Sequence, residues 1–304
     1  MATQALSPNP LSRLRTYASF VRFEHTLFSL PLILAGAFSV PGPAMSAARW
    51  SLVAVAAVGA RTAAMALNRI IDRRLDALNP RTRERELPAG RMKLAEAWAL
   101  LAASGAAYVA ACAALGPWFL RVSPLPLAVF TLYPYLKRVT PFCHFGVGAA
   151  LTLAPLAGFA AAHPGLEEWR PAVALSLFAL LWVSGFDIIY ATLDEAFDRA
   201  HGVRSMVSWL GRTRALRVSW ALHLAAGAAL LWLFWHLLDH AGLEVVSLWG
   251  ALTLALLVTV FILFYLEQKW AEDVNLAFFK TNVWVGFAVL ALVLAGRMWD
   301  GGFR

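Results

Sequence analysis

At 304 residues the chain is long enough for two soluble domains, but 60% of it is hydrophobic, with 13 Trp and 19 Phe, and its mean hydropathy is +0.64. Such values exclude an ordinary soluble protein and specify a membrane protein. The formal net charge of +8 does not call for nucleic acid, because basic cytoplasmic loops beside anionic lipid account for it.

The opening stretch, "MATQALSPNPLSRLRTYASFVRFEH", is polar and basic, and the apolar run after it has no small-residue cleavage signal, so no cleaved signal peptide is expected. Apolar windows able to cross roughly 30 Å of hydrocarbon follow at about 27–45, 50–70, 95–115, 118–136, 142–162, 172–193, 216–238, 246–266 and 281–299. They predict an all-α, polytopic protein of nine transmembrane helices forming one domain over 1–304. The fourth window is interrupted by Pro124 and Pro126. With the N-terminus inside, the inner segments carry 20 Lys and Arg and the outer ones 5, an asymmetry that orients the chain N-terminus in. Residues 1–22, 69–94 and 194–215 are then cytoplasmic. The two cysteines, Cys112 and Cys143, sit in or beside apolar runs and support neither a disulfide framework nor a cysteine metal site.

A weak internal repeat runs through the pattern. "EHTLFSLPLILAGAF" at 24–38 is like "CHFGVGAALTLAPLAGF" at 143–159, and Asp72 and Asp194 fall at a similar offset, as two duplicated helical halves would place them.

Charge is concentrated at two helix ends. In "NRIIDRRLD", Asn68, Asp72 and Asp76 stand at i, i+4 and i+8, one stripe on a helix. In "DIIYATLDEAFD", Asp187, Tyr190, Asp194 and Asp198 stand at i, i+3, i+7 and i+11, which predicts a second stripe on one helical face. A single DxxxD near a helix end is usually a solvated face. Two of them, each beginning inside an apolar span, and Asp187 following "LFALLWVSGF", point instead to a functional cavity. Facing oxygen ligands suit a hard divalent cation such as Mg²⁺, which joins one or two carboxylates to substrate phosphates. Around them lie Arg61 within a span, Arg73, Arg74, Arg81, Arg83, Arg85 and Arg91 crowding the following loop, and Lys137 and Arg138 after "YPYL"; of these Arg61, Arg85 and Lys137 are read as substrate-binding. Guanidinium and ammonium groups beside metal-binding carboxylates make a site for a polyanion such as diphosphate. Arg73, Arg74, Arg83 and Arg91 are read as setting topology. A transporter for an anionic metabolite would use similar buried charges, but has no need of two metal-spaced stripes at one level.

These residues resemble the UbiA superfamily of intramembrane aromatic prenyltransferases, from "VRFEHTLFSLP" through "ALNRIIDRRLDALNPRTRERELPAG" and "YPYLKR" to "DIIYATLDEAFDRAHGVRSMVSWLG". The family's NDxxDxxxD motif appears as Asn68, Arg69, Asp72 and Asp76, with Arg69 in place of an acid, and its DxxYxxxDxxxD motif is complete. The resemblance implies a helical bundle whose central cavity opens to the cytoplasmic side, in a bacterial inner membrane. It implies Mg²⁺ held by Asn68, Asp72, Asp76, Asp194 and Asp198, and a polyprenyl diphosphate bound by Arg22, Arg61, Arg85, Lys137, Arg138 and Ser205. Asp72, Asp187, Tyr190 and Asp194 are the implied catalytic residues. The other substrate would be a small aromatic acceptor, 4-hydroxybenzoate-like or a futalosine-derived menaquinone precursor, in quinone biosynthesis; no obligate protein partner is implied. Phe23, Phe28, Trp182 and Phe186 are read as helix packing before cavity lining, and His25 and His144 as structural histidines or acceptor contacts.

Overall fold

A computed structural model describes residues 10–22, 26–242, 244–271 and 274–297. Among the described residues every regular element is a helix. In chain order these are α1 (Pro10–Phe20), α2 (Thr26–Ala37), α3 (Ala47–Leu78), α4 (Leu94–Leu115), α5 (Pro117–Val122), α6 (Pro124–Val139), α7 (Cys143–Ala162), α8 (Arg170–Ala191), α9 (Glu195–Ala200), α10 (Met206–Leu210), α11 (Arg212–Ala241), α12 (Leu248–Lys269) and α13 (Val274–Arg297). Phe23, His25 and the side chain of Phe28 lie outside the described residues.

Six of the described helices are long and apolar enough to cross a membrane: α3, α4, α7, α8 with its continuation to Ala200, α11 and α12. This makes the chain a multi-pass membrane protein. The other three apolar windows differ from these. The first holds α2, a helix of 12 residues. The fourth divides at Ser123 into α5 and α6, since a proline at the first helical position starts a helix more readily than it continues one. The ninth, as far as it is described, lies in α13, a helix of 24 residues.

Helix α3 shows why an apolar window is not a helix boundary. Ser46 caps it by accepting the Arg49 N–H, and its 32 residues extend about 48 Å, well beyond the hydrocarbon thickness. The extra turns keep Asn68, Asp72 and Asp76 in one helix. The second stripe is different. Helix α8 ends at Ala191, and a 3-10 turn, Thr192–Asp194, leads into α9. Thr192 Oγ1 donates to the Ile189 carbonyl at 2.7 Å, a local bond of the kind that tightens or ends a helix. Asp187 and Tyr190 therefore belong to one helix and Asp198 to another, correcting the single continuous helix that their spacing predicts.

The apolar core centres on α8. Trp182, Phe178, Leu175 and Val183 are buried against Leu230, Leu233 and Phe234 of α11, Val260 and Phe264 of α12, and Val285 and Val289 of α13. Trp182 stacks on Phe178 at 5.3 Å and is fully buried, and Phe186 is 8% exposed, so both serve packing. Behind α8 lies a buried polar network. Trp182 Nε1 donates to Asn282 Oδ1 at 3.0 Å, Asn282 Nδ2 donates to Glu267 Oε1 at 2.9 Å, and Gln268 Nε2 donates to Ser219 Oγ at 2.7 Å. Ser219 Oγ in turn donates to the Gly185 carbonyl at 2.8 Å.

The two repeat-like segments pack against one another as α2 and α7. A Cβ at Gly36 would stand 2.0 Å from the Pro155 oxygen, and one at Gly158 would stand 1.9 Å from the Ile33 oxygen. Only glycine permits this reciprocal backbone contact.

Candidate active site

The C-terminal turns of α3, the loop at 79–93, the C-terminus of α6, the first turn of α7 and the α8–α10 region enclose a cavity of about 210 Å³. It is lined by Asn68, Asp72, Asp76, Arg85, Lys137, Asp187, Tyr190, Asp194, Asp198 and Ser205 among the residues singled out in the sequence. Arg138 does not line it but touches a residue that does; Arg22 and Arg61 are placed outside the lining. Arg22 follows α1 in an exposed position with φ of 48°.

Three of the five carboxylates that line the cavity, Asp72, Asp76 and Asp194, are held by a lysine or an arginine. Asp72, 1% exposed, accepts from Lys137 Nζ at 2.6 Å and from Asn68 Nδ2 at 3.2 Å on Oδ2, and from Arg138 Nη2 at 3.1 Å on Oδ1. Asp76 Oδ1 accepts from Arg85 Nη1 at 2.8 Å. Its Oδ2 is buried at the cavity wall with no hydrogen-bond donor among the described residues. Asp198 Oδ2 accepts from Ser205 Oγ at 3.0 Å. Ser205 is also the N-cap of α10, accepting from Ser208 N at 3.1 Å, so the hydroxyl that faces Asp198 is fixed by the start of a helix. The Arg204 N–H reaches the Lys137 carbonyl at 2.8 Å, which ties this segment to α6.

Arg81, one of several neighbouring loop arginines, joins the site without a signal in the motif spacing. Its guanidinium forms a two-pronged ion pair with Asp194, Nε to Oδ1 at 2.8 Å and Nη2 to Oδ2, and donates through Nη1 to Tyr190 Oη at 2.6 Å. Its carbon lies 4.7 Å from the Tyr190 ring centroid, a cation–π stack. Asn79 Nδ2 donates to the same Asp194 oxygen at 2.8 Å. Burial opposes the charge on Arg81, but the bonds to Asp194 and Tyr190 leave its pKa above the ordinary arginine value. The sequence signal was there: Arg81 and Asn79 flank Pro80, and such a turn folds the loop back over the helix end.

Among the described residues no three His, Cys, Asp or Glu groups converge as a ready-made metal cluster. The donor set nevertheless suits Mg²⁺. It is all oxygen, it is split between two stripes, and Asp76 Oδ2 is a buried carboxylate oxygen with no donor among the described residues. Mg²⁺ asks for one or two carboxylates and fills its other positions with water and phosphate oxygens.

The chain is 30% identical over 245 residues to the mitochondrial 4-hydroxybenzoate polyprenyltransferase of Saccharomyces cerevisiae, a match covering 77% of this chain and 62% of that one. The chain thus spans about three fifths of the length of that relative. The apo structure of a UbiA homologue from Aeropyrum pernix K1 superposes with a TM-score of 0.71 at 37% identity, over 91% of this chain and 98% of the other. A UbiA homologue from Archaeoglobus fulgidus, bound to GPP and Mg²⁺, shares the fold with a TM-score of 0.65 at 18% identity, over 94% and 99% of the two chains. Residues 29–286 match the model of the UbiA prenyltransferase family, and the chain belongs to that family.

Proposed function

We propose that this protein transfers a polyprenyl group from polyprenyl diphosphate to a hydroxylated aromatic acceptor, 4-hydroxybenzoate-like, in quinone biosynthesis, with release of diphosphate. The observation that carries this reading is the convergence of two oxygen-rich stripes, from α3 and from the α8–α9 region, on one cavity that also holds Arg85 and Lys137. The yeast relative's name supports the acceptor class, and the Archaeoglobus homologue's bound GPP and Mg²⁺ support the donor and the metal.

In this reading Asn68, Asp72 and Asp76 hold one Mg²⁺ and Asp194 and Asp198 a second. Bound there, the metal would supply charge neutralisation for the diphosphate. Lys137, Arg138 and Arg85, which now rest on Asp72 and Asp76, turn to the donor's phosphate oxygens with Ser205, and Arg22 and Arg61 complete the cationic set. These preorganised donors favour charge building on the leaving group, so the allylic C–O bond ionises and the ring attacks. Asp72, Asp187, Tyr190 and Asp194 are the proposed catalytic residues. Burying the isoprenoid tail stabilises the complex by about 0.8 kcal/mol per CH₂, which is why the site belongs in a bilayer. We place nine spans across it, the six long helices together with α2, α6 and α13, and the N-terminus on the cytoplasmic side.

The test is a transfer assay with purified protein in detergent, using labelled geranyl diphosphate and 4-hydroxybenzoate or a futalosine-derived acceptor, with Mg²⁺ and with EDTA. Prenylated product that disappears with EDTA is the expected result. Donor turnover indifferent to EDTA would overturn the metal assignment.

A further inference from the structure

Arg69 stands where the family's first motif has an acid, and no step of the proposed reaction uses it. It is 4% exposed and, among the described residues, is not part of the cavity lining. Its Nε donates instead to the carbonyl of Phe20, the last residue of α1, at 3.4 Å. The ionisable groups near enough to act on its charge are Asp76 and Glu86, which favour it, and Arg85 and Arg22, which oppose it. Among these groups three arginines face two acids, and an acid at position 69 would reverse that balance.

Helix α1 is fastened along the back of the loop at 79–93. Phe20 and Val21 are buried among Ala66 and Ile70 of α3, Met92 of the loop and Ala97 of α4. Ser19 Oγ donates to Glu86 Oε1 at 2.6 Å. Glu96, in the first turn of α4, accepts from Arg13 Nη1 at 2.5 Å and from Tyr17 Oη at 3.2 Å. Glu86 is 6% exposed and is held by its backbone as well, where its carbonyl accepts from the Met92 N–H at 3.1 Å. Its neighbour Arg85 holds Asp76 in the cavity. The two adjacent residues thus face opposite ways, Glu86 toward α1 and Arg85 toward the site. Ser19 also fixes a second cation, because its carbonyl accepts the Arg22 N–H at 3.1 Å and closes the turn in which Arg22 takes its left-handed φ of 48°. A non-glycine residue keeps such a conformation only where its surroundings hold it.

We propose that α1 is a strap on the donor site, and that Ser19, Glu86 and Arg69 are positioning residues that act on the diphosphate through Arg85. The inference rests on the prenyl-transfer reading and adds to it a part for the N-terminal helix and for the arginine that departs from the motif. Ser19 anchors Glu86 and Arg69 offsets its charge, so the backbone of Arg85 stays in place while its guanidinium leaves Asp76 for a phosphate oxygen. Arg69 remains opposite Glu86 when that happens. A cation placed in advance spares the cost of ordering it at binding. The strap therefore strengthens donor binding and leaves the aromatic acceptor untouched.

The experiment uses the full chain in detergent with Mg²⁺. It measures binding of labelled geranyl diphosphate, the donor and acceptor KM with 4-hydroxybenzoate or a futalosine-derived acceptor, and the rate of trypsin cleavage at loop arginines such as Arg83, whose side chain is 63% exposed. Ser19→Ala removes one exposed hydroxyl and so tests the strap without threatening the fold. It should weaken geranyl diphosphate binding by about threefold, and Glu86→Ala and Arg69→Met by about tenfold. The acceptor KM should hold within about twofold, and the loop should be cut about fivefold faster. Ser19→Thr and Arg69→Lys should recover most of the loss. On an Arg85→Met background Glu86→Ala should add less than about twofold, since its effect runs through that residue. Full losses that multiply on that background would overturn the assignment, as would donor and acceptor KM rising together. A chain that binds the donor but whose affinity and loop cleavage are indifferent to Ser19→Ala and Glu86→Ala would overturn the strap alone. An unsubstituted chain that does not bind geranyl diphosphate would overturn the prenyl-transfer reading itself, and this inference with it.

Discussion

The two sides of α8 solve the problem of buried polarity in opposite ways. On the cavity side, Asp72, Asp76 and Asp194 are each held by one or two full cations, Lys137, Arg138, Arg85 and Arg81. On the far side, Glu267 is 1% exposed and its hydrogen-bond donor is the neutral amide of Asn282, itself held by Trp182. A charged pair is costly to desolvate but can exchange partners when a metal and a polyanion arrive. An amide and indole network cannot serve an arriving anion; it fixes the register of α8 against α12 and α13. The comparison teaches that the two meet at α8, whose Asp187 and Tyr190 line the cavity while its Trp182 anchors the brace.

Substitutions on the cavity side should remove chemistry and spare the fold. The largest effect is expected for Asp72→Asn and Asp194→Asn, which should lower prenyl transfer by about 1000-fold while the thermal midpoint in detergent stays within a few degrees. Retained Mg²⁺-dependent transfer in both would break the comparison. Lys137→Ala should weaken geranyl diphosphate binding by about 10- to 100-fold, more than it raises the acceptor KM, as measured by donor titration. Arg81→Ala should have a smaller effect of opposite sign on metal binding. With its competitor gone, Asp194 should bind Mn²⁺ about tenfold more tightly in the absence of donor, read by titration of the metal alone. On the braced side, Asn282→Leu should cost about 1 kcal/mol of stability, seen as a lowered thermal midpoint, with donor affinity unchanged.

The first stripe was legible because Asn68, Asp72 and Asp76 sit in one uninterrupted helix, where spacing in sequence is position in space. The second was half legible. Asp187 and Tyr190 obey the helical period, but Thr192 turns the chain before Asp198, and a hydroxyl bonding its own backbone leaves no periodic trace. Apolar windows identified the membrane-spanning character of the chain and six long helices, and were less informative where Pro124 restarts a helix. The Trp182–Asn282–Glu267 network was not legible at all: its members are separated by 100 and 15 positions, and each alone reads as an ordinary span residue. Arg81 was hidden for a related reason, since a turn around Pro80 decides which of several neighbouring arginines points back to the site.

The crossing of α2 and α7 carries a consequence for how the protein tolerates change. Gly36 and Gly158 each meet a carbonyl where a methyl group would go, and Gly158 is 14 residues, about 21 Å, along α7 from His144. A survey of every single substitution should therefore find two intolerant zones rather than one. The nearer is defined by chemistry and fails in assays; the farther is defined by the space available to one carbon atom and fails in biogenesis.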